Sequence, residues 1–163
     1  MKGIYPGTFD PITKGHLDII NRARKIVDTL VVAVGDNPNK VWTFDATNRI
    51  AMIKDSIGDL PDVEVISFTG LTVDAAKKAG ANLVIRGLRA ISDYELEVRM
   101  AIVNRRLDPE IDTVFLVASV EYSFISSSLI KEIARFGGDI SQFVPEAVLK
   151  HMGVLNSNHG EER

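Results

Sequence analysis

Residues 31–34 have the sequence VVAV, and the chain then passes at once into GDNPNK at residues 35–40. Three of these four apolar residues are β-branched, and a glycine and a proline follow them, which is typical of a buried strand. Four more short runs have the same character: residues 3–5 (GIY), 63–66 (VEVI), 83–85 (LVI) and 113–117 (TVFLV). The sequence therefore predicts five strands.

Between these runs, apolar residues recur at helical spacing. The series are Leu17, Ile20, Ala23, Ile26 and Val27, then Ile50, Ile53 and Ile57, then Val73, Ala76 and Ala79. Continuous apolar strands that alternate with helices indicate a parallel sheet covered on both faces. We therefore expect an α/β fold, a Rossmann-like single domain over residues 1–155 with a five-stranded parallel sheet flanked by helices on both faces. Residues 156–163 are polar and are predicted to form a disordered tail.

Composition excludes several classes of function. The chain has 163 residues, a net charge of -3 and no cysteine, so disulfides, thiolate metal sites and a cysteine nucleophile are excluded. The acidic balance disfavours a nucleic-acid-binding protein. No apolar run approaches the roughly 18 residues of a membrane span, and the first residues lack the pattern of a signal peptide. A cytoplasmic location without a membrane partner is the expectation.

In an open parallel sheet, ligands bind beyond the carboxyl ends of the strands, where the strand order reverses. The loops that leave the predicted strands contain neither G-x-x-x-x-G-K-[ST] nor G-x-G-x-x-G. A P-loop nucleotidase and a common dinucleotide-dependent oxidoreductase are therefore disfavoured. Another chemistry has to be sought in the same loops.

The loops after the first two strands carry two candidate phosphate-binding residues. Thr13 is a suitable N-cap, so His16 would lie in the first turn of a helix and could donate to a phosphoryl oxygen there. By position alone, a capped helix with a surface histidine is the commoner arrangement. Lys40 follows the second strand, and a lysine ammonium suits a phosphate, although one loop lysine by itself is usually solvated.

Arg86 and Arg89 follow the fourth strand directly and could clamp a phosphate between them. Ion pairs of these arginines with Asp93 or Glu95 are an equal alternative. Glu95 and Arg99 have the i, i+4 spacing of a surface pair. Glu97 lies on another face of the same helix without such a local partner, which leaves it available for another role.

Three serines, residues 126–128, open the helix after the fifth strand. One serine is enough for a cap, and the other hydroxyls with the free helix amides form a ready anion site. No Ser-His-Asp arrangement and no metal-ligand cluster accompanies these groups. The combination suits phosphoryl or nucleotidyl transfer, in which positioning and electrostatic stabilisation supply most of the rate acceleration.

Three stretches closely resemble motifs of the bacterial phosphopantetheine adenylyltransferases. They are residues 5–16 (YPGTFDPITKGH), 85–89 (IRGLR) and 124–131 (FISSSLIK), in the right order and spacing. The resemblance extends from the first strand to about residue 155. The wider nucleotidyltransferase superfamily often has H-x-G-H and I-S-S-T-x-I-R, and the Thr13, Ser128 and Lys131 of this chain fit the phosphopantetheine branch.

The resemblance implies an enzyme of coenzyme A biosynthesis that converts ATP and 4'-phosphopantetheine into dephospho-coenzyme A and pyrophosphate with magnesium. By matching position, it implies phosphopantetheine contacts from Thr8, Lys40, Thr72 and Arg86. It implies ATP contacts from Thr8, Phe9, His16, Gly87, Leu88, Arg89, Glu97, Tyr122, Ser123, Phe124, Ile125, Ser126, Ser127 and Ser128.

The catalytic residues expected from this resemblance are His16, Lys40 and Arg89. His16 would stabilise the transition state, Lys40 with Arg86 would hold the attacking phosphate, and Arg89 would bind the departing pyrophosphate with residues 126–128. Magnesium would be held chiefly by triphosphate oxygens and water, and we name no protein ligand for it. A homohexamer and inhibition by coenzyme A are also implied. The helix after Arg89 is apolar on more than one face, which is typical of a helix that packs on several sides.

Two other functions remain open from the sequence. The chain could transfer an adenylyl or cytidylyl group to a different phosphate acceptor, such as nicotinamide mononucleotide. It could also be a nucleotide-binding regulatory module without turnover, because folds of this kind serve many functions.

Overall fold

The computed structural model describes residues 1–158, except for the side chains of Ile91, Ser92 and residues 154–158. All five strands are parallel and form one sheet in the order β3-β2-β1-β4-β5. They are Lys2–Gly7 (β1), Thr29–Gly35 (β2), Val63–Phe68 (β3), Leu83–Leu88 (β4) and Asp112–Val117 (β5). The predicted strands and the parallel sheet are confirmed.

Helices alternate with the strands, and two helices follow β5. They are Lys14–Ala23 (α1), Ala46–Ile57 (α2), Thr72–Ala79 (α3), Ile91–Leu107 (α4), Ser127–Arg135 (α5) and Glu146–Asn158 (α6). The apolar series predicted for α1 continues to Val27, but the helix ends at Ala23. Hydrogen bonds from the amides of Lys25 and Ile26 to the carbonyls three residues earlier tighten the chain there.

Each face of the sheet has its own apolar core, because neighbouring strand residues point to opposite faces. Tyr5, Val32 and Ile85 lie in the core that α1, α2, α5 and α6 cover. Ile4, Val31 and Val84 lie in the other core, which α3 covers. The prediction of helices on both faces is therefore confirmed.

The strand order reverses between β1 and β4, and the sheet splits at this point. β1 pairs with β2 along six residues, from Lys2 opposite Thr29 to Gly7 opposite Val34. Its pairing with β4 has only two positions, Gly3 with Leu83 and Ile4 with Val84. The carboxyl halves of β1 and β4 therefore diverge, which opens a crevice where parallel sheets bind ligands.

Helix α4 exposes large apolar side chains along much of its length. The most exposed are 46–63% accessible: Tyr94, Leu96, Met100, Ile102, Val103 and Leu107. This pattern agrees with the sequence prediction of a helix that is apolar on more than one face.

Helix α6 ends at Asn158 and so includes the first three residues of the segment predicted to be a tail. The remaining residues of that segment, 159–163, lie outside the described residues, and the tail stays a prediction. Within residues 1–158, no helix has both the length and the apolar character needed to cross a membrane.

Candidate active site at the split in the sheet

A cavity of about 510 Å³ opens at the carboxyl ends of β1 and β4. Its size falls in the usual range for small-molecule sites. Among the predicted site residues, its walls contain Thr8, His16, Thr72, Arg86, Gly87, Arg89, Glu97, Tyr122, Ile125, Ser126, Ser127 and Ser128. Loops that are far apart in the sequence thus meet in one crevice.

His16 is held at the N-terminus of α1 by a reciprocal cap. The Thr13 hydroxyl accepts from the His16 amide at 3.3 Å, and the Thr13 amide donates to His16 Nδ1 at 3.0 Å. Because Nδ1 accepts, the proton of the neutral ring is on Nε2. His16 lines the cavity, so its Nε2–H is available as a hydrogen-bond donor to a ligand.

The environment of His16 favours this neutral ring. Burial is the main cause that lowers the pKa of His16, and with the positive charges of Arg89 and Arg86, which act in the same direction, it brings the pKa to about 4. By position in the sequence alone, a surface histidine was the commoner arrangement. The structure instead makes it a half-buried neutral donor at the cavity wall.

We expect His16 to remain neutral in the folded protein from about pH 8 down to about pH 5. Its pKa lies below that of an unfolded histidine, so the unfolded chain binds the extra proton first. Stability linked to His16 is therefore complete above pH 6.5 and is lost as the pH falls toward 4. NMR of ¹³C,¹⁵N-histidine-labelled protein, with His16→Gln to assign the signal, would check this. A midpoint near 6.5 or a protonated Nδ1 would contradict it.

Arg86 is bound through two nitrogens to Glu97. Nε donates to Oε2 at 2.7 Å, Nη2 donates to Oε1, and Nη1 donates to the Pro6 carbonyl. Arg86 therefore fills the gap where β1 and β4 diverge. The prediction that Glu97 is left available for another role is wrong, because Arg86 binds it from a strand eleven residues earlier and not from a neighbouring turn of the helix.

Arg89 connects the end of β4 to the segment just before the three serines of residues 126–128. Its Nε donates to Asp93 at 3.2 Å, and its Nη1 donates to the Ile125 carbonyl at 3.1 Å. The alternative of an ion pair with Asp93 is thus confirmed for Arg89, which also lines the cavity, and the phosphate clamp stays a prediction. The surface pair predicted for Glu95 and Arg99 is confirmed at 3.5 Å.

The three serines have separate roles. Ser126 caps α5 by accepting from the Leu129 amide at 3.1 Å, while Ser127 donates to the Pro11 carbonyl at 2.7 Å. The sequence indicated that only one serine is needed for the structure. Ser127 also has a structural role, because its hydroxyl is used in this bond. The exposed Ser128 and the first amides of α5 line the cavity, so this helix end can still receive an anion.

Lys40 lies outside the main cavity, in an adjoining one of about 290 Å³. Thr8, Gly35 and Phe68 line both cavities, so the two are continuous at the carboxyl ends of β1 and β2. A third cavity of about 100 Å³ lies behind Arg86 and Glu97 along α4. Thr72 at the start of α3 lines this cavity as well as the main one.

Four of the predicted ATP contacts do not have their side chains in the main cavity. Phe9 is fully buried against Tyr5 and His16, and Leu88 lies in the pairing with β5. The Ser123 hydroxyl donates to the Val120 carbonyl, and Phe124 packs against Phe143. These four residues are absent from the lining of the main cavity, and their contact with ATP stays a prediction.

The donor set around the cavity does not suit a metal held by the protein alone. Within the part of the chain that the structure describes, no three histidine or carboxylate side chains are grouped as metal ligands. Both carboxylates of the main cavity, Asp93 and Glu97, already bind arginines. The cavity instead offers cationic and neutral donors, which suit phosphate oxygens.

Sequence reasoning missed Arg49 and assigned no role to Asp10, although both organise the first two loops. The carboxylate of Asp10 accepts from the amides of Thr43 and Phe44 and from Lys131. Arg49 is a fully buried cation on the face of α2 that carries Met52 and Ile53. Its position within that apolar stripe was the available signal, because an arginine there must either leave the core or find several acceptors.

Comparisons with known proteins agree with this architecture. Residues 4–133 match the family model described as cytidylyltransferase-like. A phosphopantetheine adenylyltransferase of Lachnoclostridium phytofermentans is 54% identical over 148 residues, which is 91% of each chain. The proteins of that name from Alkaliphilus metalliredigens and Prochlorococcus marinus strain MIT 9301 are 53% and 54% identical. They align with 92% and 93% of this chain, and with 96% and 97% of their own.

Proposed function

We propose that the chain adenylylates 4'-phosphopantetheine by direct in-line attack of the substrate phosphate. The basis is its family, because the chain belongs to the cytidylyltransferase-like family and, within it, to the phosphopantetheine adenylyltransferases. It is a nucleotidyltransferase of coenzyme A biosynthesis. The observation that carries the in-line proposal is the neutral Nε2–H of His16 in one cavity with Arg89 and the amide end of α5. These groups stabilise a transferring phosphoryl centre and include no nucleophile.

In the proposed reaction, an oxygen of the phosphopantetheine phosphate forms a bond to the α-phosphorus of ATP. The bond from that phosphorus to the oxygen of the β-phosphate breaks, and pyrophosphate leaves with the electron pair. The attacking phosphate is already an anion, so no protein base is required. The protein has to hold the two substrates in line and stabilise the charge that spreads over the α-phosphate.

His16 donates from Nε2 to an α-phosphate oxygen as its negative charge grows. A neutral imidazole whose tautomer is set by Thr13 is already oriented before the reaction, so no reorganisation is needed. Arg89 and the first amides of α5 bind the departing pyrophosphate. Their position in the same cavity wall supports this assignment.

Phosphopantetheine binds, in this proposal, across the junction of the cavities, with its phosphate near Thr8, Lys40, Thr72 and Arg86. Three N–H groups of Arg86 are already donated, and two of its five remain for a ligand. The small cavity along α4 has both apolar lining residues, such as Val84 and Met100, and polar ones, among them the buried Asn104. This mixture suits the amide-containing arm of the substrate.

In this proposal, the phosphate oxygens of ATP and water would hold magnesium. The carboxylates of Asp93 and Glu97 are committed to arginines, which supports a metal that needs no protein cage. When bound, the metal ion neutralises part of the triphosphate charge.

The proposal includes a homohexamer in the cytoplasm that coenzyme A inhibits. The exposed apolar side chains of α4 support burial against further copies of the chain. Light scattering is expected to give the mass of six chains, and a stable monomer would contradict the assembly. Competition of coenzyme A with phosphopantetheine in the turnover assay would test the inhibition.

A pyrophosphate-release assay tests the proposed function directly. The purified protein with ATP, magnesium and 4'-phosphopantetheine is expected to release pyrophosphate and form dephospho-coenzyme A. The same assay with nicotinamide mononucleotide is the control acceptor. If pyrophosphate were released only with nicotinamide mononucleotide, the protein would use a different phosphate acceptor. Tight ATP binding without pyrophosphate release from any acceptor would favour a regulatory module.

Lys40→Ala is expected to weaken phosphopantetheine binding about tenfold and ATP binding less than about twofold. The loss follows from removing one charge-assisted bond to the acceptor phosphate. Calorimetry with each ligand measures both constants. Lys25→Ala is the matched control, because Lys25 is exposed after α1 and lines none of the three cavities. Equal losses for the two ligands in Lys40→Ala would contradict the assignment.

A further inference from the structure

Arg49 has no exposed surface, yet it carries a full positive charge. Nε donates to the Phe44 carbonyl at 2.9 Å, and Nη1 donates to the carbonyls of Thr8 and Gly35, also at 2.9 Å. Nη2 donates to Asp36 Oδ1 at 2.7 Å. Burying a guanidinium is costly unless its N–H donors have acceptors. Arg49 donates most of its hydrogen bonds to main-chain oxygens.

These acceptors come from the ends of three separate segments. Thr8 follows β1, Gly35 ends β2, and Phe44 precedes α2. The pairing of β1 with β2 stops at Gly7 and Val34, just before the first two of these carbonyls. Beyond the last paired residues of β1 and β2, the Arg49 side chain therefore supplies the hydrogen bonds that join the loop containing Thr8 to the loop between β2 and α2.

Trp42 connects this junction to Lys40. The Arg49 guanidinium lies 4.5 Å from the centre of the indole ring, and Lys40 Nζ lies 5.9 Å from it. The indole nitrogen donates to the Asn37 carbonyl at 3.2 Å, which ties the ring to its own loop. One aromatic ring thus lies beside both the buried cation and the exposed one, at distances where cation–π attraction acts.

We propose that the side chains of Arg49 and Trp42 form a platform that positions Thr8 and Lys40 relative to one another for the acceptor phosphate of phosphopantetheine. Both are positioning residues, since they act through the Thr8 carbonyl and the Lys40 side chain. The inference rests on the proposed function, in which Thr8 contacts both substrates and Lys40 contacts phosphopantetheine alone, so that the difference between the substrates comes from Lys40. The location supports it, since Thr8, Gly35, Asp36, Lys40 and Trp42 all line the cavity next to the main one.

A purely structural role would have a different signature. If Arg49 and Trp42 only stabilised the fold, their replacement would lower the melting temperature and the active fraction without separating the two substrates. A positioning role raises the KM for phosphopantetheine more than the KM for ATP. The ratio of the two KM changes is therefore the informative quantity.

The experiment compares four variants in the pyrophosphate-release assay. Arg49→Lys keeps the charge but loses the fork, and it is expected to raise the KM for phosphopantetheine about tenfold and that for ATP less than about threefold. Trp42→Leu removes the ring and is expected to raise the former about fivefold. Trp42→Phe keeps a ring and should stay within about twofold of wild type. Arg24→Lys is the control, because Arg24 pairs with Asp62 and lines none of the three cavities.

The platform is overturned if folded Arg49→Lys leaves the KM for phosphopantetheine within about twofold of wild type, or if both KM values rise equally. Should Arg49→Lys fail to fold, Trp42→Leu decides, because Trp42 is half-buried on a loop. An unchanged KM for phosphopantetheine in that variant overturns the platform as well. Wild-type protein that releases no pyrophosphate refutes the proposed function itself, and the platform is refuted with it.

Discussion

Replacing His16 with alanine is expected to lower the turnover number about 10²- to 10³-fold, the usual loss for one preorganised donor to a developing anion. The imidazole is neutral, its Nδ1 accepts from the Thr13 amide, and its Nε2–H is left for the α-phosphate. This bond strengthens as charge builds in the transition state, so the loss falls on turnover. ATP binding is expected to change less than about fivefold.

Steady-state kinetics and calorimetry with ATP measure the two effects separately. His151→Ala is the matched control, since His151 contacts Asp55 from α6 and lines none of the three cavities. Its turnover should equal that of wild type. If the turnover number of His16→Ala stayed within tenfold of wild type, His16 would not stabilise the transition state. If ATP affinity fell as much as turnover, His16 would contact ATP equally in the ground state.

Asp10→Ala is expected to destabilise the folded protein by about 3 kcal/mol. Asp10 is 1% exposed, and its carboxylate accepts from the amides of Thr43 and Phe44 at 3.0 and 2.9 Å and from Lys131 at 3.1 Å. Alanine accepts none of these bonds. The Phe44 amide would then stay buried without an acceptor, and Lys131 would lose its counter-charge.

Thermal unfolding at a fixed protein concentration would detect this as a fall in melting temperature of roughly 6 to 12 °C. Asp139→Ala is the control, because Asp139 is exposed and accepts mainly from Ser141. Its loss should stay below about 1 kcal/mol. If the two variants melt together, the Asp10 carboxylate does not hold the segment before α2 to the loop after β1.

The fold was open to prediction because each element carries its own local signal. The run at residues 31–34 is buried on both sides and became β2, and Thr13 and Ser126 became the caps that their side chains predict. The end of α1 was not predictable from periodicity. Val27 reaches the core from a tight turn, so it mimics a helical position.

The sequence predicted which residues belong to the site better than it predicted how their side chains are paired and placed. His16, Arg86, Arg89 and residues 126–128 do share one cavity, because strands of one direction end at one edge. The partner of Glu97 was missed because helix spacing rules cover only neighbouring turns, whereas Arg86 reaches it from a strand. Lys40 was expected with the others, but it lies in the adjoining cavity, beside Trp42.

The sequence by itself determined the alternation of strands and helices, the parallel sheet and the loops that carry phosphate-binding groups, since these depend on periodicity, turn residues and caps. Only the tertiary structure decided that His16 is neutral, and that Arg49 is a buried junction and not a surface charge. Both depend on groups brought together across the fold: the burial of the His16 ring together with the charges of Arg89 and Arg86, and the carbonyls of Thr8 and Gly35 around the guanidinium of Arg49. Charge and protonation follow from the whole surroundings of a group, which no local pattern contains.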